Sequence, residues 1–265
     1  MLNIINADAK RWICSRRFFI NIVAIFFVNY LVLSQNVMKE LLATNIVYDV
    51  DICMEDPFFT MNFILSSMVF GTAYYEEKKN GFLKFCKIRC SNKEYIISKI
   101  TNCFMSAFMV LFIGLFLWIL SLRLFLPWAD LEGNVSDSFQ VVSSLGMGQI
   151  LKAHHFILYY ILYSVGIGMI GGILAVITLL CSLFINNAMV VEVIPAILYY
   201  LSHAYLDNIS EKAYFWSLEQ GLYFPNSLLK SPVLILLKGM GYTAVIVVIT
   251  GFVCWKVFDN LSDIF

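Results

Sequence analysis

Glu76 and Glu77 are adjacent carboxylates at the edge of an apolar run, a pair that could do acid–base work on a peptide bond if an arginine stood four residues on. That position is Gly81, and the histidine motifs that would complete such a centre are missing. Only three histidines occur, the adjacent His154 and His155 and the distant His203, and the pair reads as interfacial residues ahead of an apolar run rather than as metal ligands. Cys86 and Cys90 stand four apart without a second ligand pair, which argues against zinc. Gly166, Gly168 and Gly171 match a dinucleotide fingerprint, with Glu192 about 20 residues further on. The fingerprint needs a strand, a turn and a helix, whereas these glycines sit inside a 30-residue apolar run. Glycines in such a run let helices approach closely, and that is their expected role. Glu192 is the one carboxylate expected inside a span, about one turn from its cytoplasmic end. It serves either as a structural group reaching interfacial water or as part of a substrate pathway. No catalytic constellation emerges, and an enzyme is not expected.

The elements that carry these residues are set by composition. The chain has 265 residues, 60% hydrophobic and 14% charged, too apolar for an ordinary soluble domain. Runs of 17 or more apolar residues recur, each able to cross ~30 Å of hydrocarbon. Six spans are expected, at 18–34, 57–75, 100–126, 156–185, 188–206 and 233–257, forming one all-α domain over 1–265. Residues 2–17 read as an amphipathic helix lying on the membrane, with Leu2, Ile5, Ala9, Trp12 and Ile13 on its apolar face and Asp8, Lys10, Arg11, Arg16 and Arg17 facing headgroups. A cleavable leader is not expected, because no small-x-small site follows Ser34. This topology places twelve Lys and Arg residues on the inner side and six on the outer side, which favours both termini inside. Of the seven cysteines, Cys53 is the only one expected in an outer loop, so no disulfide framework is foreseen. Pro195 is expected to kink the fifth span.

The most informative stretch is 76–99, which reads EEKKNGFLKFCKIRCSNKEYIISK and holds seven of the eighteen basic residues. A short loop so rich in Lys and Arg is retained in the cytoplasm. Within it, Glu77-x-x-x-Gly81 leads into an apolar-basic segment, and Lys93-Glu94-Tyr95-Ile96 then opens the next apolar run. This order resembles the first cytoplasmic loop of type-2 ABC exporter permeases, and the six-span layout extends the likeness over the chain. Two features depart from that family, which often has Pro near Cys90 and a second basic residue near Asn92.

The resemblance implies an N-terminal elbow helix, a cytoplasmic coupling helix between spans two and three, and a permease domain powered by separate ATPase subunits. Glu77, Gly81, Phe82, Leu83, Lys84, Phe85 and Lys87 would then form the ATPase-coupling segment, with Gly81 letting the chain bend or pack tightly. No Gly-x-x-x-x-Gly-Lys-Ser/Thr phosphate loop occurs, so ATP and Mg are expected on a partner ATPase and no cofactor on this chain. The partners implied are the ABC ATPase subunits and a second permease chain, identical or paralogous, in a bacterial plasma membrane. The cargo implied is amphipathic: a bacteriocin-like peptide, a lipid-like molecule or a drug. The aromatic segment with Phe215 and Trp216 is either a re-entrant hairpin before the sixth span or an interfacial belt. A secondary transporter or channel without an ATPase partner is the alternative; it would call for inverted repeats and midplane charges, and neither is evident.

Overall fold

The structure, a computed structural model, describes residues 2–38, 45–83, 90–129, 146–201, 222 and 231–262. These residues form helices joined by turns and short irregular links, with no strand among them. The elements are α1 (Leu2–Ile13), α2 (Arg16–Met38), α3 (Ile46–Glu55), a 3-10 turn (Pro57–Thr60), α4 (Met61–Ser67) and α5 (Ala73–Lys79), then α6 (Asn92–Leu122), α7 (Gly148–Lys152), α8 (Phe156–Phe184), α9 (Ala188–Leu201) and α10 (Pro232–Ser262). Among the described residues four helices, α2, α6, α8 and α10, are long and apolar enough to cross a membrane, which makes this a multi-pass membrane protein.

The centre of the molecule is the antiparallel pair α6 and α8. The apolar stretch of α8 is 72% buried and that of α10 only 17%, so α8 is the inner helix and α10 lies on the periphery. The glycine-rich stretch of α8 lies mid-helix, and a side chain on Gly168 or Gly172 would collide with the rings of Phe108 or Phe104 on α6. Close helix approach is what these glycines supply; Cys103 even donates to the Ala175 carbonyl across the seam at 3.1 Å. Phe104, Phe108, Phe112 and Phe116 stack along α6 at 6.0–6.2 Å between ring centres. In α2, Asn29 exchanges amide hydrogen bonds of 3.3 and 3.2 Å with Asn62 of α4, so neither buried amide is left unsatisfied in hydrocarbon. The outward residues of α2, among them Phe19, Ile20, Val23, Phe27 and Leu31, are exposed as a lipid-facing stripe should be.

One expected span, 57–75, takes another form. Residues 57–79 are not one helix: Asp56 caps the 3-10 turn by accepting from the Phe58 amide at 2.9 Å, α4 ends at Ser67, and turns carry the chain to α5. Ser66 and Ser67 bond back to the Phe63 and Ile64 carbonyls, a habit that bends helices, and Gly71 follows with its amide on the Ser67 carbonyl at 2.8 Å. Residues 69–74 are buried, and irregular backbone at membrane depth is tolerated where protein covers it. The stretch after Asn187 forms α9, whose described part is 14 residues and includes Pro195 within the helix.

The acidic segment after α2, expected as an outer loop, contains α3. Asn45 caps it by accepting from the Tyr48 amide, and the Ile46 and Val47 amides donate to the Pro127 and Trp128 carbonyls at 3.1 and 3.2 Å. Cys53 is therefore buried rather than exposed on a loop. Burial, followed by the nearby charges of Asp49 and Asp56, pushes its thiol up to about 12.

Candidate functional site

The charged residues of α1, α5 and α6 converge at one end of the molecule. The α1–α2 corner is made by Ser15, whose hydroxyl donates to the Trp12 carbonyl at 2.8 Å and accepts from the Phe18 amide at 3.2 Å. It closes one helix and starts the next. At the far side, Ser91 and Glu94 form a reciprocal capping box that fixes the first turn of α6. The Lys93-Glu94-Tyr95-Ile96 run is thus already helical, and Tyr95, Ser98, Lys99 and Asn102 fall at i, i+3, i+4 and i+7 on one face.

That face meets Glu77. Its side chain is 2% exposed and accepts from Lys99 Nζ at 2.7 Å, Tyr95 Oη at 2.6 Å and Arg11 Nη1 at 2.5 Å. Lys99, itself 3% exposed, bridges on to Asp8 at 2.9 Å, and Ser98 donates to the other Asp8 oxygen at 2.7 Å. Its ammonium also lies over the rings of Phe70 and Tyr95 at 5.2 and 5.3 Å. Asp8 was expected to face headgroups; it turns inward because Lys99 and Ser98 supply the donors that a buried carboxylate requires. Trp12 adds a neutral tie, its indole donating to Asn102 at 2.9 Å, while the Asn102 amide reaches the Ile5 carbonyl at 3.2 Å. Glu76 lies nearer the surface and pairs with Arg17. One buried carboxylate therefore fastens three helices, with every charge in the cluster met by an opposite one.

Immediately beyond, α5 ends in a tight cap. The Phe82 amide donates to the Glu77 carbonyl at 2.9 Å and the Gly81 amide to Lys78 at 3.2 Å, with Gly81 at φ +70°. This is the paired 6→1 and 5→2 bonding of a Schellman motif, which needs a left-handed residue after the cap. No described residue lies within 4 Å of where a Gly81 side chain would start, and its φ of +70° is what calls for a glycine there. Phe82 projects outward at 50% exposure and Leu83 packs against the core. Lys84, Phe85 and Lys87 lie outside the described residues, as do Phe215 and Trp216.

Glu192 is half-buried on α9, close enough to Arg17 and Glu76 to feel their charges. On the same side, Lys78 donates to Asn186 in the α8–α9 turn at 3.2 Å. The structure thus gathers Glu77, Gly81 and the start of the 82–83 segment into one junction and sets Glu192 near its rim. Sequence reasoning overlooked Asp8, Tyr95, Ser98, Lys99 and Asn102 as a unit. The legible signal was a polar face, at helical spacing, on the first two turns of an otherwise apolar helix.

No protein-family model, no curated protein and no solved structure matches this chain.

Proposed function

We propose that this chain is the permease subunit of an ATP-driven ABC exporter in a bacterial plasma membrane. In this reading six spans cross the bilayer, 57–79 being a broken second span and α9 the start of the fifth, with both termini cytoplasmic. Separate ATPase subunits bind ATP and Mg, and a second permease chain completes the pathway. The exported cargo is amphipathic, a bacteriocin-like peptide, a lipid-like molecule or a drug.

The observation that carries the reading is the Glu77 junction with the cap at Gly81. A force applied to the segment after Gly81 reaches α5 through the two capping bonds and spreads through Glu77 into α1 and α6. Such a junction suits a segment that must move spans together, as a coupling element does. Arg11 brings the N-terminal helix α1 into the same unit and Arg17 the start of α2, which is the part an elbow helix would play.

The test is transport measured in cells expressing the chain with its ATPase. Gly81→Leu and Glu77→Ala are expected to insert in the membrane and to lose transport, with ATP hydrolysis lost or no longer stimulated by cargo. Lys84→Gln, which removes one of seven positive charges from the loop, is expected to retain both topology and transport. Normal transport by Gly81→Leu at normal expression would remove the coupling role.

A further inference from the structure

The Glu77 cluster leaves a second feature on its outer side. A cavity of about 280 Å3 opens between the α1–α2 corner and the start of α5, lined by Arg11, Arg16 and Arg17, with Glu76 as its one carboxylate and Trp12 and Phe70 among its apolar walls. We propose that this cavity binds the phosphate of an anionic phospholipid headgroup.

The donor inventory supports it. Each guanidinium carries five N–H donors in a planar fork suited to phosphate oxygens. Arg11 spends its contacts on Glu77 and, at 4.0 Å, on Glu76, and Arg17 pairs with Glu76. Arg16 makes no side-chain hydrogen bond or ion pair with any described residue, and it is exposed at the cavity wall. With Arg11 paired to Glu77 and Arg17 to Glu76, the charge of Arg16 is the surplus at the cavity, and its guanidinium donors are the ones left to meet a phosphate.

Position selects the source of the phosphate. The cavity sits where the amphipathic α1 turns into the apolar α2, the depth of the headgroups. Exposed Ile13, Phe19 and Ile20 surround the corner and offer acyl chains a path along α2. Basic pockets at the membrane edge of helical proteins take anionic headgroups by this combination of guanidinium donors and adjoining apolar surface. The inference needs only the membrane placement of this corner, so its failure and the failure of the exporter reading are separate events.

The experiment uses the purified chain in lipid nanodiscs of phosphatidylcholine, with or without phosphatidylglycerol, followed by thermal unfolding and by native mass spectrometry of retained lipid. Phosphatidylglycerol is expected to raise the unfolding midpoint, and at least one copy should stay bound through delipidation. Arg16→Gln should weaken that retention about fivefold, the contribution of one basic residue at an anionic surface, and Arg16→Lys should weaken it less. Because Arg16 holds no described partner, its variants should unfold like wild type in phosphatidylcholine alone. Lys10→Gln removes a charge from an exposed residue of α1 outside the cavity and should leave retention unchanged. Equal losses for Arg16→Gln and Lys10→Gln would overturn the site in favour of diffuse surface attraction. Equal stabilisation by inorganic phosphate in phosphatidylcholine discs would overturn the lipid assignment.

Discussion

A carboxylate at 2% exposure survives in Glu77 because three donors from two other helices, Arg11 of α1 and Tyr95 and Lys99 of α6, converge on its two oxygens. Breaking a buried pair from one side costs far more than the pair itself contributes, since it strands the other charge. Glu77→Ala should therefore lower unfolding stability by about 3–5 kcal/mol, and Tyr95→Phe, which removes one hydrogen bond to a charged group, by about 1.5–3 kcal/mol. Arg17→Gln should cost no more than about 1 kcal/mol, because its partner Glu76 is partly exposed and water screens the pair. Thermal unfolding in detergent ranks the three, and a Glu77→Ala protein as stable as Arg17→Gln would contradict the junction. Gly81 makes a separate demand. Its φ of +70° with open space around it predicts that Gly81→Asn is nearly neutral while Gly81→Leu costs about 1–2 kcal/mol of backbone strain. Glu77 and Gly81 were singled out in the chain, with a bend or tight packing left open at Gly81, and its φ of +70° selects the bend. That Lys99 is a structural counter-ion and not another loop charge was not readable, because Asp8 lies 91 residues away and only the fold brings them together.

Among the elements, α1, α2, α6 and α8 were legible as an amphipathic face and long apolar runs, but their ends were not. Helix α1 stops at Ile13 and not at residue 17, and α2 runs over Arg16–Met38 and not 18–34. Helix α6 starts at Asn92, well before residue 100, because the Ser91–Glu94 capping box fixes its first turn. The break within 57–79 was hidden because hydropathy measures whether side chains suit lipid and says nothing of backbone geometry. The neighbours α8 and α9 provide its cover, and they are distant in sequence. Phe63 on α4, for one, packs its ring 4.4 Å from that of Tyr199. Helix α3 was masked by its carboxylates, although Ile46, Val47, Val50 and Cys53 stand at i, i+1, i+4 and i+7 and form its buried face. The consequence is testable with thiol chemistry. With its pKa pushed up to about 12, Cys53 has almost no thiolate at pH 8 and the ring of protein around it blocks reagents, so maleimide should label it only after denaturation. Raising the pH toward 12 increases the thiolate, but rapid labelling of native Cys53 at pH 8 would contradict its burial. For topology, Leu124→Cys is the better reporter, being 79% exposed just past the end of α6 that the proposed orientation puts outside. An impermeant reagent on intact cells should modify it and spare the exposed Cys14 at the α1–α2 corner. Labelling of Cys14 from outside would invert the orientation.

At the scale of the molecule, a tightly packed α6–α8 centre is flanked by α2 and α10, whose outer faces are apolar and open to lipid. A charged clasp at one end binds the amphipathic helix to the span ends, and the loop proposed as the ATPase-coupling segment starts from that clasp. In the proposed transporter this arrangement lets one docking event act on several spans together, and the energy comes from subunits that carry the phosphate loop this sequence lacks. The composition of the native complex therefore decides the central claim. The tagged chain, extracted gently from its own membrane and examined by native mass spectrometry, should travel with two ATPase subunits and a second permease chain, and the complex should hydrolyse ATP while the isolated chain does not. A chain that migrates without any nucleotide-binding subunit, yet still moves cargo when reconstituted alone, would contradict the account.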